Sequence, residues 1–462
     1  MTKLSILGLS LVSTLFLSSC TSYLTDYKRS DLPYVSSYEN AQNYLGASID
    51  RKFWENFSDK NLNTLIEKAL DNNYDLRTAS VNVEKALLQV DIASTARHPT
   101  ANASLGSSAQ RALSYHDKTQ KKSNFDLGFS YQVDLFGKIE AQNLQALESY
   151  RATAYDYWAM RLTIIETVAT AYWQYAYAKE AVSLGEMDLK DSQKRLTMIK
   201  NKYNAGAVDK LDLTNAEVNH INVQRTLDKR LNELTKARTA LANLLGTTAD
   251  KDFVVSSLDD ANIPSFSLDI PAKLLSRRPD LMAKESILKS YYAAYDEAKL
   301  SYFPDFTLST SLGTGSVNSF IKFFSDPIGS LGAAITLPFL NFNEISLKQE
   351  QALKDVEIAD LDFVSSYIKA VTEVYDAVSN LELYRKDVKS AKTEYELAVT
   401  NYNLYYVRYE AGLVSVSDFL DAADSMRSAE VGYLQSKRDN LTGIMDLMIA
   451  LGGDTEKLLD VK

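Results

Sequence analysis

Two similar ten-residue stretches lie 206 residues apart in this chain: residues 203–212 read YNAGAVDKLD and residues 409–418 read YEAGLVSVSD. Each follows a long run almost free of glycine and proline and precedes a shorter run of the same kind. A glycine just past a helix can adopt the left-handed conformation that ends it. Each stretch is therefore predicted to form the tip of a helical hairpin.

The similarity extends well beyond the tips. Further matching segments keep the same order, at offsets of 204 to 206 residues: Asp75-Leu76 with Asp280-Leu281, Pro99 with Pro304, 133–136 with 337–340, and Leu245-Gly246 with Leu451-Gly452. Self-similarity over nearly the whole chain predicts two tandem structural repeats. We place them at 60–258 and 259–462, each built as helix, β-hairpin (100–136 or 305–340), long helix and return helix.

The N-terminus has the pattern of an export signal. Lys3 precedes an apolar run at 4–17 and then Ser18-Ser19-Cys20, so residues 1–19 are predicted to be a signal peptide, too short for a dependable membrane span. The residues Leu17-Ser18-Ser19-Cys20 resemble the lipobox of bacterial lipoproteins, which implies palmitate on Cys20, the only cysteine. The second residue after cleavage would be Thr21 rather than the aspartate that resembles an inner-membrane retention signal, which favours the outer membrane. A plain signal peptide with an incidental cysteine is the alternative. Residues 20–59 are predicted to be a lipidated, extended N-terminal segment.

Residues 124–135 alternate strictly between apolar and polar side chains. Phe125, Leu127, Phe129, Tyr131 and Val133 share one side, while Asp126, Gly128, Ser130 and Gln132 share the other. Period two with both faces this uniform indicates a strand between an apolar and a polar medium, and its length suits a tilted bilayer crossing of about 9 to 11 residues. An edge strand of a soluble sandwich is the alternative.

Each hairpin is followed by a very long helical run. Residues 138–204 contain one glycine, Gly185, and no proline, and residues 341–411 contain neither. At about 1.5 Å per residue, such a run makes a helix of roughly 100 Å. Apolar residues near heptad spacing in the second run are typical of coiled-coil packing.

Four strands cannot close a barrel, and unpaired edge amides are costly in hydrocarbon. If the strands lie in a membrane, copies must assemble; two, three or four copies would give 8, 12 or 16 strands, and more than 8 can enclose a channel. The predicted fold class is mainly α with a β-barrel part.

Several motifs together resemble the TolC-like outer membrane efflux proteins, in particular their lipoprotein branch. The resemblance covers residues 40–455 and rests on the repeat, the two Tyr-x-x-Gly tips, and the segments Trp54-x-x-Phe57-x-Asp59, Tyr131-x-Val133-Asp134-Leu135-Phe136-Gly137-Lys138 and Arg277-Arg278-Pro279-Asp280. It implies a homotrimer, with a 12-stranded β-barrel in the outer membrane and a long periplasmic α-helical barrel. The implied function is that of a passive channel in a tripartite efflux pump for drugs or other small toxic compounds. The implied partners are a periplasmic adaptor (membrane fusion) protein, an inner-membrane transporter of the RND type and outer membrane lipid.

The resemblance also implies roles for individual residues. It implies that the adaptor docks at the two tips, Ala205, Gly206, Ala207, Val208 and Ala411, Gly412, Leu413, Val414. It also implies that Asp418 and Asp421, together with Asp212 and Tyr409, form a periplasmic gate. A trimer would bring six carboxylates from Asp418 and Asp421 to a narrow axis, where like charges raise one another's pKa and attract cations. The alternative for these acids is an ordinary N-terminal helix turn. Val414 stands where some members carry an arginine, so a salt bridge from that position to Asp212 is not expected.

Other classes of function have little support in the sequence. The three histidines are isolated, and no metal-ligand spacing, phosphate loop or nucleophile elbow is present, so we predict no enzyme, cofactor or metal site. A net charge of −10 disfavours nucleic acid as a partner. A purely structural coiled coil would not explain 124–135. Type I protein secretion or metal-ion export on the same fold stay open, although the methionines are scattered like core residues.

Overall fold

The computed structural model describes residues 24–29, 32, 52–111, 119–250, 252–259, 277–314 and 323–453. The predicted signal peptide and Cys20 lie outside these residues, as does most of the predicted extended segment 20–59. The helices and strands of the described residues are, in chain order, α1 (Lys60–Asn72), α2 (Tyr74–Ser94), β1 (Thr100–Gln110), β2 (Gln120–Val133), α3 (Lys138–Asn204), α4 (Lys210–Leu244), α5 (Pro279–Leu300), β3 (Asp305–Thr314), β4 (Ile328–Thr336), α6 (Phe342–Glu410) and α7 (Val416–Ala450).

The chain divides into two compact units. The first, here called the strand unit, comprises Met1–Asp31, Asn82–Ala154 and Ala283–Ser365; the second, the tip unit, comprises Leu32–Val81, Tyr155–Met282 and Ser366–Lys462. Each unit draws segments from both halves of the chain. The repeat boundaries at 60–258 and 259–462 stay predictions.

The two long helices have almost the predicted limits. The first spans Lys138–Asn204 in one piece of 67 residues, and the second, predicted at 341–411, spans Phe342–Glu410. In the part of the chain that the structure describes, no helix has an apolar stretch long enough to cross a membrane.

The single helix predicted before the first β-hairpin is two helices in the structure. Asn73 separates α1 from α2, with an extended backbone (ψ 127°) that ends the first helix. Its side-chain Oδ1 then accepts hydrogen bonds from the amides of Asp75 and Leu76, at 2.9 and 3.1 Å, and so caps the second helix. Asparagine suits this position because its side chain replaces the missing helical acceptor.

The strand unit contains one antiparallel sheet in the order β1-β2-β3-β4. Consecutive strands pair along their length, with Leu127 opposite Ala103 on β1 and opposite Leu312 on β3. Both β1 and β4 have only one neighbour within this sheet, so each presents an open edge.

One face of this sheet is apolar across all four strands. Cross-strand partners point to the same face, and the register aligns Phe129 with Ala101 and Thr310, Tyr131 with Leu308, and Thr310 with Leu331. Several of these side chains are exposed, among them Leu105, Phe129, Leu308 and Leu331. The opposite face carries small and polar residues, such as the row Asn102, Gly128, Ser311 and Ser330. A Cβ at Gly128 would lie 2.6 Å from Asn102 Oδ1, so a larger residue there requires the Asn102 side chain to move.

The segment Val133-Asp134-Leu135-Phe136-Gly137-Lys138 connects β2 to α3. Asp134 accepts hydrogen bonds from the amides of Gly137 and Glu140, at 3.0 and 2.9 Å, so it satisfies free N–H groups at the start of the long helix. Gly137 has a positive φ of 86°. Lys138 Nζ lies 3.6 Å from Asp305 at the start of β3. The motif therefore fixes the angle at which the helix leaves the sheet.

The core of the tip unit is built around the Trp54-x-x-Phe57-x-Asp59 segment. Trp54 and Phe57 are buried in a short 3-10 helix, and the Phe57 ring lies 5.0 Å from that of Trp173. Asp59 caps α1 and also accepts a hydrogen bond of 2.6 Å from the Tyr172 hydroxyl. Burial and this carboxylate raise the pKa of Tyr172.

The Arg278-Pro279-Asp280 segment holds the beginning of α5 in the same unit. The buried Arg278 donates to both carboxylate oxygens of Asp280, at 3.0 and 2.7 Å, and to the Ala450 carbonyl at 3.2 Å. It also pairs with Glu373 at 2.7 Å. One guanidinium thus connects the start of α5, the end of α7 and the middle of α6.

Candidate functional site

The two predicted tips have the same backbone geometry. Gly206 and Gly412 adopt φ values of +72° and +70°. After each glycine, the next amide reaches back to the carbonyl five residues earlier, Ala207 to Lys202 and Leu413 to Arg408, both at 2.9 Å. This is the Schellman arrangement that ends a helix at a left-handed residue. Leu413 is 75% exposed at its tip.

The return helices begin with side-chain caps that involve the predicted gate acids. Asp209 caps α4 by accepting from the Asp212 amide at 2.9 Å. Ser415 caps α7 through a capping box, in which its Oγ accepts from the Asp418 amide at 3.1 Å while the Asp418 carboxylate accepts from the Ser415 amide and hydroxyl. The hydrogen bonds from the Ser415 hydroxyl and amide lower the pKa of Asp418. Within one chain, Asp418 is thus a helix-capping anion.

Behind the tips lies a hydrophobic cluster that contains Tyr409. The Tyr409 ring stacks on Phe419 with centroids 5.1 Å apart and planes 7° apart. Val208 and Val414, one from each tip, pack against this cluster. The Tyr409 hydroxyl is buried and has no hydrogen-bond partner among the described residues. The cluster joins both hairpins through side chains of α3, α4, α6 and α7: Ile199, Ala216, Tyr409, Val416, Phe419 and Leu420.

Lys202, in the last turn of α3, contacts the end of α6 in two ways. Its Nζ lies over the face of the Tyr409 ring, 4.0 Å from the centroid, and 3.4 Å from Glu410 Oε1. A cation over a tyrosine face contributes about 0.5–2 kcal/mol, depending on desolvation. The two hairpin ends are thereby connected by charge as well as by packing.

Asp421 lies one turn beyond Asp418 and lines a groove between α6 and α7. The groove has a volume of about 930 Å³. Its charged lining residues are all acidic: Asp387, Glu394, Asp421, Asp424 and Asp439. Two of these carboxylates, Asp424 and Asp439, pair with Arg427 and Arg438.

Sequence reasoning did not find Lys202, Phe419 or Glu410. A signal for Lys202 exists, because the pair Lys202-Tyr203 has Arg408-Tyr409 as its counterpart in the second tip. Phe419 carries no such signal. Among the described residues, no group of three or more histidine, aspartate or glutamate side chains is arranged to hold a metal ion.

A family model described as "Outer membrane efflux protein" matches this chain twice, over residues 65–247 and 270–453. This chain belongs to the outer membrane efflux protein family. The efflux protein is 28% identical to the toluene efflux pump outer membrane protein TtgF of Pseudomonas putida, over 97% of each chain. It is 27% identical to the toxin and drug export protein A of Aggregatibacter actinomycetemcomitans, over 93% of this chain and 94% of that one. The open state of the MtrE outer membrane channel of Neisseria gonorrhoeae has the same fold, with a TM-score of 0.84 and 27% identity over 95% of this chain and 100% of that one.

These similarities confirm the predicted family, the mainly α fold with a β part, the efflux function and the location in the outer membrane with a periplasmic extension. The efflux protein is therefore an outer membrane channel protein. The roles predicted for the tip residues and the gate acids stay predictions.

Proposed function

We propose that three copies of this efflux protein assemble into one channel, to which each copy contributes the strands β1 to β4. The observation that supports this most strongly is the sheet itself, which has two open edges and a continuous apolar face. Edge amides cannot stay unpaired in a bilayer, so β1 of one copy would pair with β4 of the next. Three sheets of four strands make a closed barrel of 12, which is wide enough to conduct.

The partners we propose are a periplasmic adaptor protein and an inner-membrane transporter of the RND type. The transporter would supply the energy, and the efflux protein would conduct passively. We propose drugs and other small toxic compounds as cargo. The relative TtgF is named as a toluene efflux pump protein, which supports this choice. The name of the toxin and drug export protein keeps protein secretion as a second candidate.

For the tips, we propose docking of the adaptor at 205–208 and 411–414. The exposed Leu413 and the rigid glycine turn offer an apolar contact whose shape is fixed before binding. A cysteine at Leu413 should form crosslinks to the adaptor in cells. The same cysteine at Leu231, an exposed position along α4, should not, and equal crosslinking at both would contradict tip docking.

For the mouth, we propose that Asp418 and Asp421 form the gate, with Asp212 and Tyr409 behind them. The capping box fixes the start of α7, on which both acids lie three residues apart and hence on one helix side. In three copies, six carboxylates would then surround the axis.

For the membrane anchor, we propose palmitate on Cys20. Cys20→Ala should abolish labelling with radioactive palmitate, and label that persists would contradict the assignment.

The proposed function is tested by complementation. A strain without its own outer membrane channel, but with an adaptor and transporter, should regain resistance to dyes and solvents when it expresses this protein. Restored secretion of a protein toxin with no change in drug resistance would favour the second candidate. No change in either would contradict both.

A further inference from the structure

A short N-terminal segment lies along α5 in the strand unit. This segment, residues 25–29, is here called the strap; it precedes both matches to the family model and begins five residues after Cys20. None of its contacts has a part in the proposed barrel, tips or gate. The strap contacts four side chains of α5 that recur every three or four residues and therefore share one side of the helix: Glu285, Lys289, Tyr292 and Asp296.

The Asp296 carboxylate holds one end of the strap. The backbone amide and the hydroxyl of Thr25 donate to its two oxygens, at 2.7 and 2.5 Å. Asp296 is only 2% exposed. Because a buried carboxylate is costly unless it accepts hydrogen bonds, these two bonds favour the docked position of Thr25.

The Glu285 carboxylate holds the other end. Arg29 donates to both of its oxygens, at distances from 2.7 to 2.9 Å, and the Tyr27 hydroxyl donates to it at 3.2 Å. An arginine that forks onto a carboxylate makes some of the strongest side-chain hydrogen bonds. Between the two ends, the Tyr27 ring meets the Tyr292 ring edge-on, with centroids 5.6 Å apart, and Lys289 Nζ lies 5.1 Å from the Tyr27 centroid. The strap is thus held along about three turns of one helix.

The first repeat shows that the fold alone does not bury this side of the helix. At an offset of 205 residues, Asp91 on α2 is the counterpart of Asp296, and Leu87 is the counterpart of Tyr292. Both Asp91 and Leu87 are exposed. The strap therefore covers a surface on α5 that stays open on α2.

Docking of the strap determines how far the strand unit can lie from a lipid on Cys20. Five residues of fully extended chain reach at most about 18 Å. Without the strap, the next described residue that packs against a core is Leu32, twelve residues after Cys20, and the reach grows to about 43 Å. Asp296 lies about one turn before α5 ends at Leu300, and β3 begins at Asp305. A docked strap therefore keeps the lipid close to the end of the sheet at which β3 begins.

We propose that α5 is the docking site for the N-terminal segment of the mature chain, and that the docked strap holds the lipid on Cys20 beside the open-edged sheet while copies assemble. This inference rests on the lipid anchor and the trimer proposed above. A tether raises the effective concentration of the group it carries, and this concentration falls roughly as the −3/2 power of the tether length. Lengthening the tether from five to twelve residues should therefore slow trimer formation about four-fold.

The test is the rate at which newly made protein becomes crosslinkable trimer in outer membranes after a pulse of labelled amino acids. Thr25→Ala with Arg29→Ala removes the hydrogen bonds of both side chains and should slow trimer formation about four-fold. Eight glycine and serine residues inserted between Ser22 and Tyr23 should slow it to a similar degree, because they lengthen the tether and leave the strap contacts in place.

Two controls match these changes. Lys28→Ala removes one positive charge, as Arg29→Ala does, but from an exposed side chain in the middle of the strap. The same eight residues inserted between Val35 and Ser36 lengthen the chain beyond the strap. Both controls should assemble at the wild-type rate.

A chain with Cys20→Ser, exported by a signal peptide of the non-lipidated kind, separates tethering from a structural role of the strap. In this chain the strap variant should assemble as fast as the intact strap, because no lipid is tethered. Equal slowing with and without the lipid would overturn the proposal, as would a wild-type rate for the lipidated strap variant. Palmitate labelling is followed in every chain, since a wild type without label would instead contradict the lipid anchor on which the proposal rests.

Discussion

Asp418 and Asp421 lie on the same helix but have different surroundings. The Asp418 carboxylate accepts hydrogen bonds from Ser415 in the capping box, whereas Asp421 lines the groove between α6 and α7. Both positions were predicted from the sequence, but this difference was missed, although Ser415 lies three residues before Asp418 with the spacing of a capping box. The two alternatives weighed for these acids, gate and helix cap, are therefore compatible for Asp418.

Replacing both acids should change conduction. In planar bilayers, Asp418→Ala with Asp421→Ala should raise single-channel conductance, because smaller side chains leave a wider mouth. It should also weaken block by multivalent cations by about ten-fold or more, since removing six charges from a narrow mouth lowers the local cation concentration. Glu344→Ala is the control, because Glu344 pairs with Lys348 in the strand unit. Unchanged conductance and block in the double variant would remove these acids from the gate.

Asp446 on α7 predicts a pH dependence of stability. Burial raises the pKa of Asp446 to about 6, and the same groove of 440 Å³ holds Glu166 and Glu373. Burial and the negative charges of Asp446 and Glu373 also raise the pKa of Glu166. Because the folded pKa of Asp446 exceeds its unfolded value of about 3.9, its contribution favours folding at low pH and is lost as the pH rises through about 6.

Asp446→Asn should therefore stabilise the protein at pH 7 and have little effect at pH 4. Screening of a partly exposed group reduces the expected gain to about 1–2 kcal/mol. Thermal unfolding at both pH values measures it, with Asp280→Asn as a control that disrupts the paired carboxylate of Arg278 instead. A gain of equal size at pH 4 and pH 7 would contradict the assignment to Asp446.

Some helices and strands were predicted from the sequence more accurately than others, for physical reasons. The long helices were predicted to within a residue, because their ends carry strong signals: glycine at the tips and Asp134 or Pro338 at the other ends. The strand β2 was recognised because its alternation is uninterrupted. The break between α1 and α2 was missed, since it depends on one asparagine whose side chain replaces a backbone acceptor.

A lysine should have different effects on the two faces of the sheet. Leu331 is 89% exposed on the apolar face of β4, and Ser330 lies next to it on the polar face. A lysine at Leu331 would face lipid, at a cost of about 2–4 kcal/mol near the middle of the bilayer, whereas a lumen-facing lysine is tolerated. Leu331→Lys should therefore sharply reduce the assembled protein in outer membrane fractions, and Ser330→Lys should not. Equal loss in both, or a reversed order, would mean that the faces are assigned wrongly.

At the scale of the whole molecule, the account depends on copies that share their strands. The four strands, the two tips and the long helices all lie within one chain, but a closed barrel does not. The sequence indicated this incompleteness because four strands are too few to close, and the family resemblance supplied the number three. Neither the paired edges nor the six-carboxylate mouth exists in a single copy.

The most direct measurement is therefore a disulfide between edges of neighbouring copies. Asn102→Cys on β1 is combined in turn with Ser330→Cys, Gly332→Cys or Ala334→Cys on β4, all on the polar face. Partners across antiparallel strands have Cα atoms about 4.5–5.5 Å apart, which suits a disulfide. After oxidation in outer membranes, we predict covalent dimers and trimers for at least one pair, nothing larger, and monomers for each single-cysteine variant. Monomers for every pair, or a ladder that extends beyond the trimer, would contradict the shared barrel.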